Sequence, residues 1–186
     1  MIKKHVAVFD VDGTLLDGDS LLLAARYSIH GFDKIFTWLR FLPWCIGFQL
    51  KLLSTDRFKE AFLRLFSVCG IVNHDSESLL LNDLISRLRP EALDRLIWHQ
   101  RQGHKVVLCS ASPRMLLQPL ADWLVVDLVC TELTGTPRAW QPKLLGSNCK
   151  GEEKVRRLIN HLGPFENLFI EAYGDSRGDR ELLKAA

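Results

Sequence analysis

An apolar run, Val6 to Phe9, opens directly onto Asp10-Val11-Asp12-Gly13-Thr14-Leu15. No other stretch limits the chain's options as strongly. The run reads as a strand, and it ends where two acidic side chains, one residue apart, enter a glycine turn. Side chains alternate along a strand, so Asp10 and Asp12 face the same way until the turn intervenes. Carboxylates crowded at the tip of an apolar strand are costly unless a cation or a proton lies between them. Magnesium meets that need, because it favours carboxylate, carbonyl and water oxygens.

The remaining pattern tells where such a strand sits. After His5 to Phe9, Asp19 or Ser20 caps a helix to about His30, stopped by Gly31. Phe36 to Leu53 is highly apolar, and Pro43 is expected to break its helix. Its longest uncharged run, Phe41 to Leu50, is too short to span a bilayer. Further helices are predicted over Asp56 to Cys69, ending at Gly70, over Asp75 to Leu88, and from Pro90 to near Gly103. The period then changes. Lys105 to Cys109, Val125 to Thr131 and Leu168 to Tyr173 read as strands. Between and after them lie helices over Pro113 to Trp123, over Glu152 to His161 with Gly163 and Pro164 as its stop, and from Arg180 onward. This alternation predicts a three-layer α/β core around a parallel sheet. Residues 17–88 leave and re-enter it as a helical cap, so the core is residues 1–16 and 89–186.

The 186 residues suit one core with a small appended lobe, and 47% hydrophobic residues suffice to pack it. A net charge of +2, without a basic block or zinc-finger spacing, argues against a nucleic-acid partner. Cys45, Cys69, Cys109, Cys130 and Cys149 are odd in number and scattered, as in a reducing compartment. Acidic residues arrive before any adequate apolar stretch, so a secretion signal is not expected and the cytoplasm is the default location.

In parallel sheets, ligands bind beyond the carboxyl ends of the strands. Asp10 with Asp12, Ser110 with Ser112, and Asp175 with Asp179 all fall there, and Lys150 precedes a helix start. Asp10 and Asp175, with the backbone carbonyl of Asp12, can hold magnesium. Asp179, four residues past Asp175, can orient a ligand from behind. Asp10 can attack a phosphomonoester, while Asp12 protonates the leaving alkoxide and then activates water. Ser110, the Ala111 backbone and the Asp12-Gly13 turn can hold phosphate oxygens. Lys150 can place an ammonium against phosphate and Asp10. Lys154, a full turn into the helix, ranks second. Each cluster alone has an ordinary use as a turn, a cap or a solvated charge. Their shared place after strands sets them apart.

These residues resemble the haloacid dehalogenase (HAD) superfamily of phosphohydrolases. Asp10-Val11-Asp12-Gly13-Thr14-Leu15 resembles its first motif, and Ser110-Ala111-Ser112 its second. Lys150 in Cys149-Lys150-Gly151-Glu152 resembles the third, and Gly174-Asp175-Ser176-Arg177-Gly178-Asp179 the fourth. The resemblance implies a Rossmann-like α/β/α core with a helical C1 cap. It also implies Asp10 as nucleophile, Asp12 as acid/base, Ser110 and Lys150 on phosphate, and Asp175 and Asp179 serving magnesium. Gly18-Asp19-Ser20, Trp98-His99, Gly103-His104 and the run from Lys150 to Leu158 are similar to subgroup IB, which includes phosphoserine phosphatase-like enzymes. That subgroup usually has another strand after the fourth motif, so a core ending at Ala186 is expected to lack it.

The leaving group is left to the cap. A phosphoserine enzyme needs an acidic partner, for which Asp19 qualifies, and a cationic one, for which Arg57 and Arg64 are candidates. The apolar stretch from Phe36 to Leu50 points instead to packing within the cap, a dimer surface, or a face touching lipid. A lipid-like phosphomonoester, with the protein peripheral to a membrane, is therefore the other substrate class, and the resemblance to a bacterial branch of the subgroup implies the phosphatidylglycerophosphate type. A phospho-acceptor or scaffold without turnover is the non-enzymatic alternative.

Overall fold

The computed structural model describes residues 3–28, 33–68, 74–136 and 139–186. Four parallel strands form the central sheet: β1 (Lys4–Phe9), β2 (Lys105–Pro113), β3 (Asp127–Thr131) and β6 (Leu168–Tyr173). Their order is β3-β2-β1-β6. Val6, Val8, Val107, Cys109 and Val129 face one side, where they meet Leu158 and Leu182. These two come from α7 (Glu152–Leu162) and α8 (Arg180–Ala185). Ala7, Phe9 and Leu108 face the other side, against Leu116, Leu117 and Leu120 of α6 (Arg114–Leu124). Burial on both faces explains why the two central strands, β1 and β2, read as continuous apolar runs. The fold is the expected three-layer Rossmann-like α/β core with a helical cap.

Register brings the sequence motifs together. Phe9 pairs with Leu108 on one side and with Tyr173 on the other. Asp10, Ser110 and Asp175 therefore leave the sheet close together at its carboxyl end. The second motif does not follow β2, as expected, but is part of it. β2 runs to Pro113 with a register shift between Ser110 and Pro113, and α6 starts one residue later than expected. An antiparallel hairpin, β4 (Leu133–Thr136) and β5 (Ala139–Leu144), was not expected. Its second strand, Ala-Trp-Gln-Pro-Lys-Leu, has no apolar run to announce it.

The cap contains α1 (Ser20–Ser28), α2 (Asp33–Gln49), α3 (Thr55–Leu65) and α4 (His74–Ser86). The expected helix stops at Gly31 and Gly70, and Cys69, lie outside the described residues. The chain leaves and returns side by side. Leu16 bridges Leu88, the Asp17 N–H donates to Arg87 O at 2.8 Å, and the Arg89 N–H donates to Leu15 O at 2.9 Å. Contrary to expectation, α2 continues through Pro43. Proline inside a helix costs about 3 kcal/mol. Phe41 is buried beside the rings of Phe58, Phe62 and Phe66 at 5.1, 5.3 and 5.4 Å. Each such pair adds about 0.5–1.5 kcal/mol beyond area burial, enough together to offset the proline. Among the described residues no helix is long and apolar enough to cross a membrane. Cys45, Cys109, Cys130 and Cys149 are free thiols.

A buried histidine braces the end of β6. His99, on α5 (Pro90–Arg101), is fully buried. Its Nε2 lies 2.9 Å from the Tyr173 hydroxyl and its Nδ1 lies 2.8 Å from His104 Nδ1. Tyr173 in turn stacks on Phe9 at 4.3 Å. Burial holds the His99 pKa below its ordinary value; Glu171 opposes this, while Arg95, His104 and His5 reinforce it. The unfolded chain takes up this proton below the ordinary value of 6.5, whereas the folded chain resists it. This contribution to stability is complete above that pH and is lost as pH falls. His99→Gln is expected to lower the melting temperature at pH 8, and the gap from the parent should narrow as pH falls through 6.5. Thermal melts across pH measure this, and a gap independent of pH would contradict it.

Candidate active site

Asp10 follows β1, and its N–H donates to Tyr173 O at 2.9 Å. The carboxylate is buried beside Lys154, whose Nζ donates to Asp10 Oδ1 and Asp179 Oδ1, each at 2.5 Å. Lys154 is 2% exposed, so this ammonium is neutralised almost entirely by those two acids. Burial pushes the Asp10 pKa up to about 6 although Lys154 pulls it down. Burial is the largest influence on Lys154 and opposes its charge, but Asp10, Cys109 and Asp179 together outweigh it and the lysine pKa rises above its ordinary value. Asp179 also feels an upward push from burial, yet Lys154 and Ser176 bring it below the usual carboxylate range. Ser176 donates to Asp179 Oδ2 through both its N–H, at 3.1 Å, and its hydroxyl, at 2.5 Å.

Asp12 has different partners. Its Oδ2 accepts the Ser112 hydroxyl at 2.6 Å and its Oδ1 accepts the Ser20 N–H at 2.7 Å. The Ser20 hydroxyl donates to Ser112 Oγ at 2.8 Å, so cap and core meet on this carboxylate. Burial and the charge of Asp19 raise the Asp12 pKa. Two acids one residue apart thus occupy separate environments, one ion-paired and one held by neutral donors.

The turn between them is set by Gly13, which has φ +83°. A Cβ there would come within 2.4 Å of Asp175 Oδ2, so the approach of Asp175 requires glycine. The Thr14 hydroxyl donates to Asp175 Oδ1 at 3.1 Å. Asp10, Asp175 and Asp179 offer carboxylate oxygens within 4.8 Å of one another, a set able to hold a metal ion. Hard oxygen donors of this kind fit magnesium. The carboxylate of Asp12 is not in that set, and Asp179, expected behind it, is.

Ser110 is fully buried, and its Oγ accepts the Ser112 N–H at 3.0 Å. The neighbouring Ala111 carbonyl accepts Lys59 Nζ at 2.7 Å and the Thr131 hydroxyl at 2.5 Å. Lys59 also donates to Asn148 Oδ1 at 2.6 Å. It reaches the core from cap helix α3, and sequence reasoning missed it, as it missed Asn148. Burial brings the Lys59 pKa down to about 8, with Lys150 adding to the shift and Asp12 and Asp19 opposing it. The available signal was periodicity: Lys59 precedes buried Phe62 and Leu63 by three and four residues, in the apolar stripe of α3.

The structure places Lys154, not the first-ranked Lys150, against Asp10. Lys154 is the third residue of α7 and precedes buried Leu158 by four, so it shares the face of α7 that packs on the sheet. Lys150 lies before the helix, exposed, with its stem across Gly178, where an added Cβ would be 2.8 Å from Cε.

These groups border a cavity of about 520 Å³. Asp10, Asp12, Ser110, Ala111, Lys59, Lys150, Lys154 and Asp179 line its polar end. Leu21, Trp38, Phe41, Cys45, Phe48, Phe58 and Phe62 of the cap line the rest. Asp19 also lines it while capping α1 through the Leu22 N–H at 2.9 Å. Arg57 and Arg64 are exposed on α3 and are not among the residues lining the cavity.

A family model described as haloacid dehalogenase-like hydrolase matches residues 7–184, which include every group above. The chain belongs to this family. The haloacid dehalogenase-like chain is 31% identical over 192 residues to the protein CicA of Caulobacter vibrioides, covering 97% of this chain and 82% of that one. It is similar in structure to a protein of unknown function from Bordetella pertussis Tohama I. That match has a TM-score of 0.84 and 23% identity, covering 99% and 87% of the two chains. A substrate-bound phosphoserine phosphatase matches with a TM-score of 0.61 and 15% identity, covering 100% of this chain and 84% of the other. At such identities these structures share the fold.

Proposed function

We propose that this hydrolase is a magnesium-dependent phosphomonoesterase that works through a phosphoryl group carried on Asp10. The observation that supports this best is the division of labour between the acids: Asp10 pairs with Lys154, whereas Asp12 is held by Ser112 and Ser20. A carboxylate oxygen of Asp10 attacks phosphorus in line, and the bond from phosphorus to the leaving oxygen breaks. Asp12 gives its proton to that oxygen. It then takes a proton from water, which attacks the same phosphorus, releases phosphate and restores Asp10. The Ser110 hydroxyl and the Ala111 N–H donate to phosphoryl oxygens, and Lys154 offsets negative charge beside Asp10. Asp10, Asp175 and the Asp12 carbonyl would hold magnesium, with Asp179 beside them in the carboxylate set and also fixing Lys154. When bound, magnesium supplies compensating charge for the phosphoryl oxygens.

Of the two leaving-group classes, an apolar one suits the cavity better than phosphoserine. Aromatic and aliphatic side chains wall its far end, and Arg57 and Arg64 are not part of the lining. Purified protein is expected to hydrolyse p-nitrophenyl phosphate with magnesium, to stop on chelation by EDTA, and to recover when magnesium is restored. Stable phosphorylation without phosphate release would instead favour a phospho-acceptor.

A further inference from the structure

We propose that the outer face of α2 docks on an anionic lipid bilayer, while its inner face receives the apolar part of a phosphomonoester drawn from that bilayer. The docking stands on the surface itself; the route of substrate rests on the phosphomonoesterase reading. α2 is apolar on two faces. Trp38, Phe41, Cys45 and Phe48 turn toward the cavity. Ile35, Leu39, Leu42 and Ile46, spaced by four, three and four residues, form a second stripe that is exposed throughout. Phe36 and Leu50 widen it at the two ends. A contiguous apolar face of this kind marks an interaction surface.

Three observations choose its occupant. First, the segment bracketed by Asp33 and Asp56 holds Lys34, Arg40 and Lys51 and no other charged residue, and Arg40 and Lys51 are exposed. Such a segment complements an anionic surface. Second, α2 has 17 residues, a length of about 25 Å, against about 30 Å of bilayer hydrocarbon. It is suited to lie in the interface rather than to span, with Trp38, which flanks the stripe, at headgroup depth. Third, Trp38 and Phe48 line the cavity yet are 49% and 38% exposed. The outer face is thus continuous with the cavity rim. A second protein copy seated there would cover that rim, whereas a bilayer would cover the face and deliver substrate across it.

The test uses the whole chain and the variant Leu39→Ser/Leu42→Ser/Ile46→Ser, whose positions lie outside the cavity. Wild type is expected to co-sediment with phosphatidylglycerol-containing vesicles, less so with phosphatidylcholine alone or in high salt, and the variant to bind at least about tenfold more weakly. Hydrolysis of hexadecyl phosphate embedded in those vesicles should fall in parallel, with p-nitrophenyl phosphate turnover unchanged. Docking is overturned if wild type stays in the supernatant, or if the variant binds equally well. A wild-type dimer that the variant converts to monomer, without vesicle binding, would assign the face to a second copy. Vesicle binding retained with no turnover of either ester would uphold the docking and reject the phosphomonoesterase reading.

Discussion

Asp10→Asn is expected to lower kcat for p-nitrophenyl phosphate by about 10⁴-fold, with the melting temperature close to that of the parent. The carboxamide fills the same buried volume and can still accept from Lys154 through its oxygen. Asp179 remains to balance the ammonium at 2.5 Å, so no buried charge is left alone. What disappears is the anionic oxygen to which the proposed mechanism assigns the attack on phosphorus. Steady-state kinetics beside thermal melts separate these effects. Parental turnover in the variant would remove Asp10 from the chemistry.

Lys154→Met is expected to cost about 3–5 kcal/mol of stability, because it leaves Asp10 and Asp179 together in the interior without their cation. Activity should fall by about 10²–10³-fold, the usual loss when one electrostatic contact to a developing charge is removed. Lys150→Met provides the contrast. Its ammonium is exposed, so stability should change by no more than about 0.5 kcal/mol. Urea unfolding and initial rates on both variants decide between the lysines. Stable, active Lys154→Met beside inactive Lys150→Met would return the phosphate-binding role to Lys150.

The contrast between these lysines shows what was readable in advance. Motif order placed a lysine near the start of α7, and Cys149-Lys150-Gly151-Glu152 drew attention to the first. Which lysine faces the sheet depends on where the helix begins. Glu152 is its first residue, which puts Lys154 on the same face as Leu158. Similarly, Pro43 was a sound reason to expect a break. The aromatic cluster that overrides it joins Phe41 to rings 17 to 25 positions further along the chain, whose contacts local preference does not report. The hairpin of β4 and β5 stayed hidden for a related reason: its strands are short and largely polar, and the end of β5 is held by a distant cap residue. Glu60 of α3 accepts the Leu144 N–H at 2.9 Å.

The amino-acid order alone determined the parallel α/β core and the acidic turn at the tip of its first strand, because strands buried on both faces demand continuous apolar runs and a turn at positive φ demands glycine. Tertiary structure decided which ammonium balances Asp10, how Asp12 is shielded from it, and that Lys59 crosses from the cap to Ala111 and Asn148. These are matters of helix rotation and of approach between distant segments. Charge and burial there depend on neighbours in space, which local sequence does not specify.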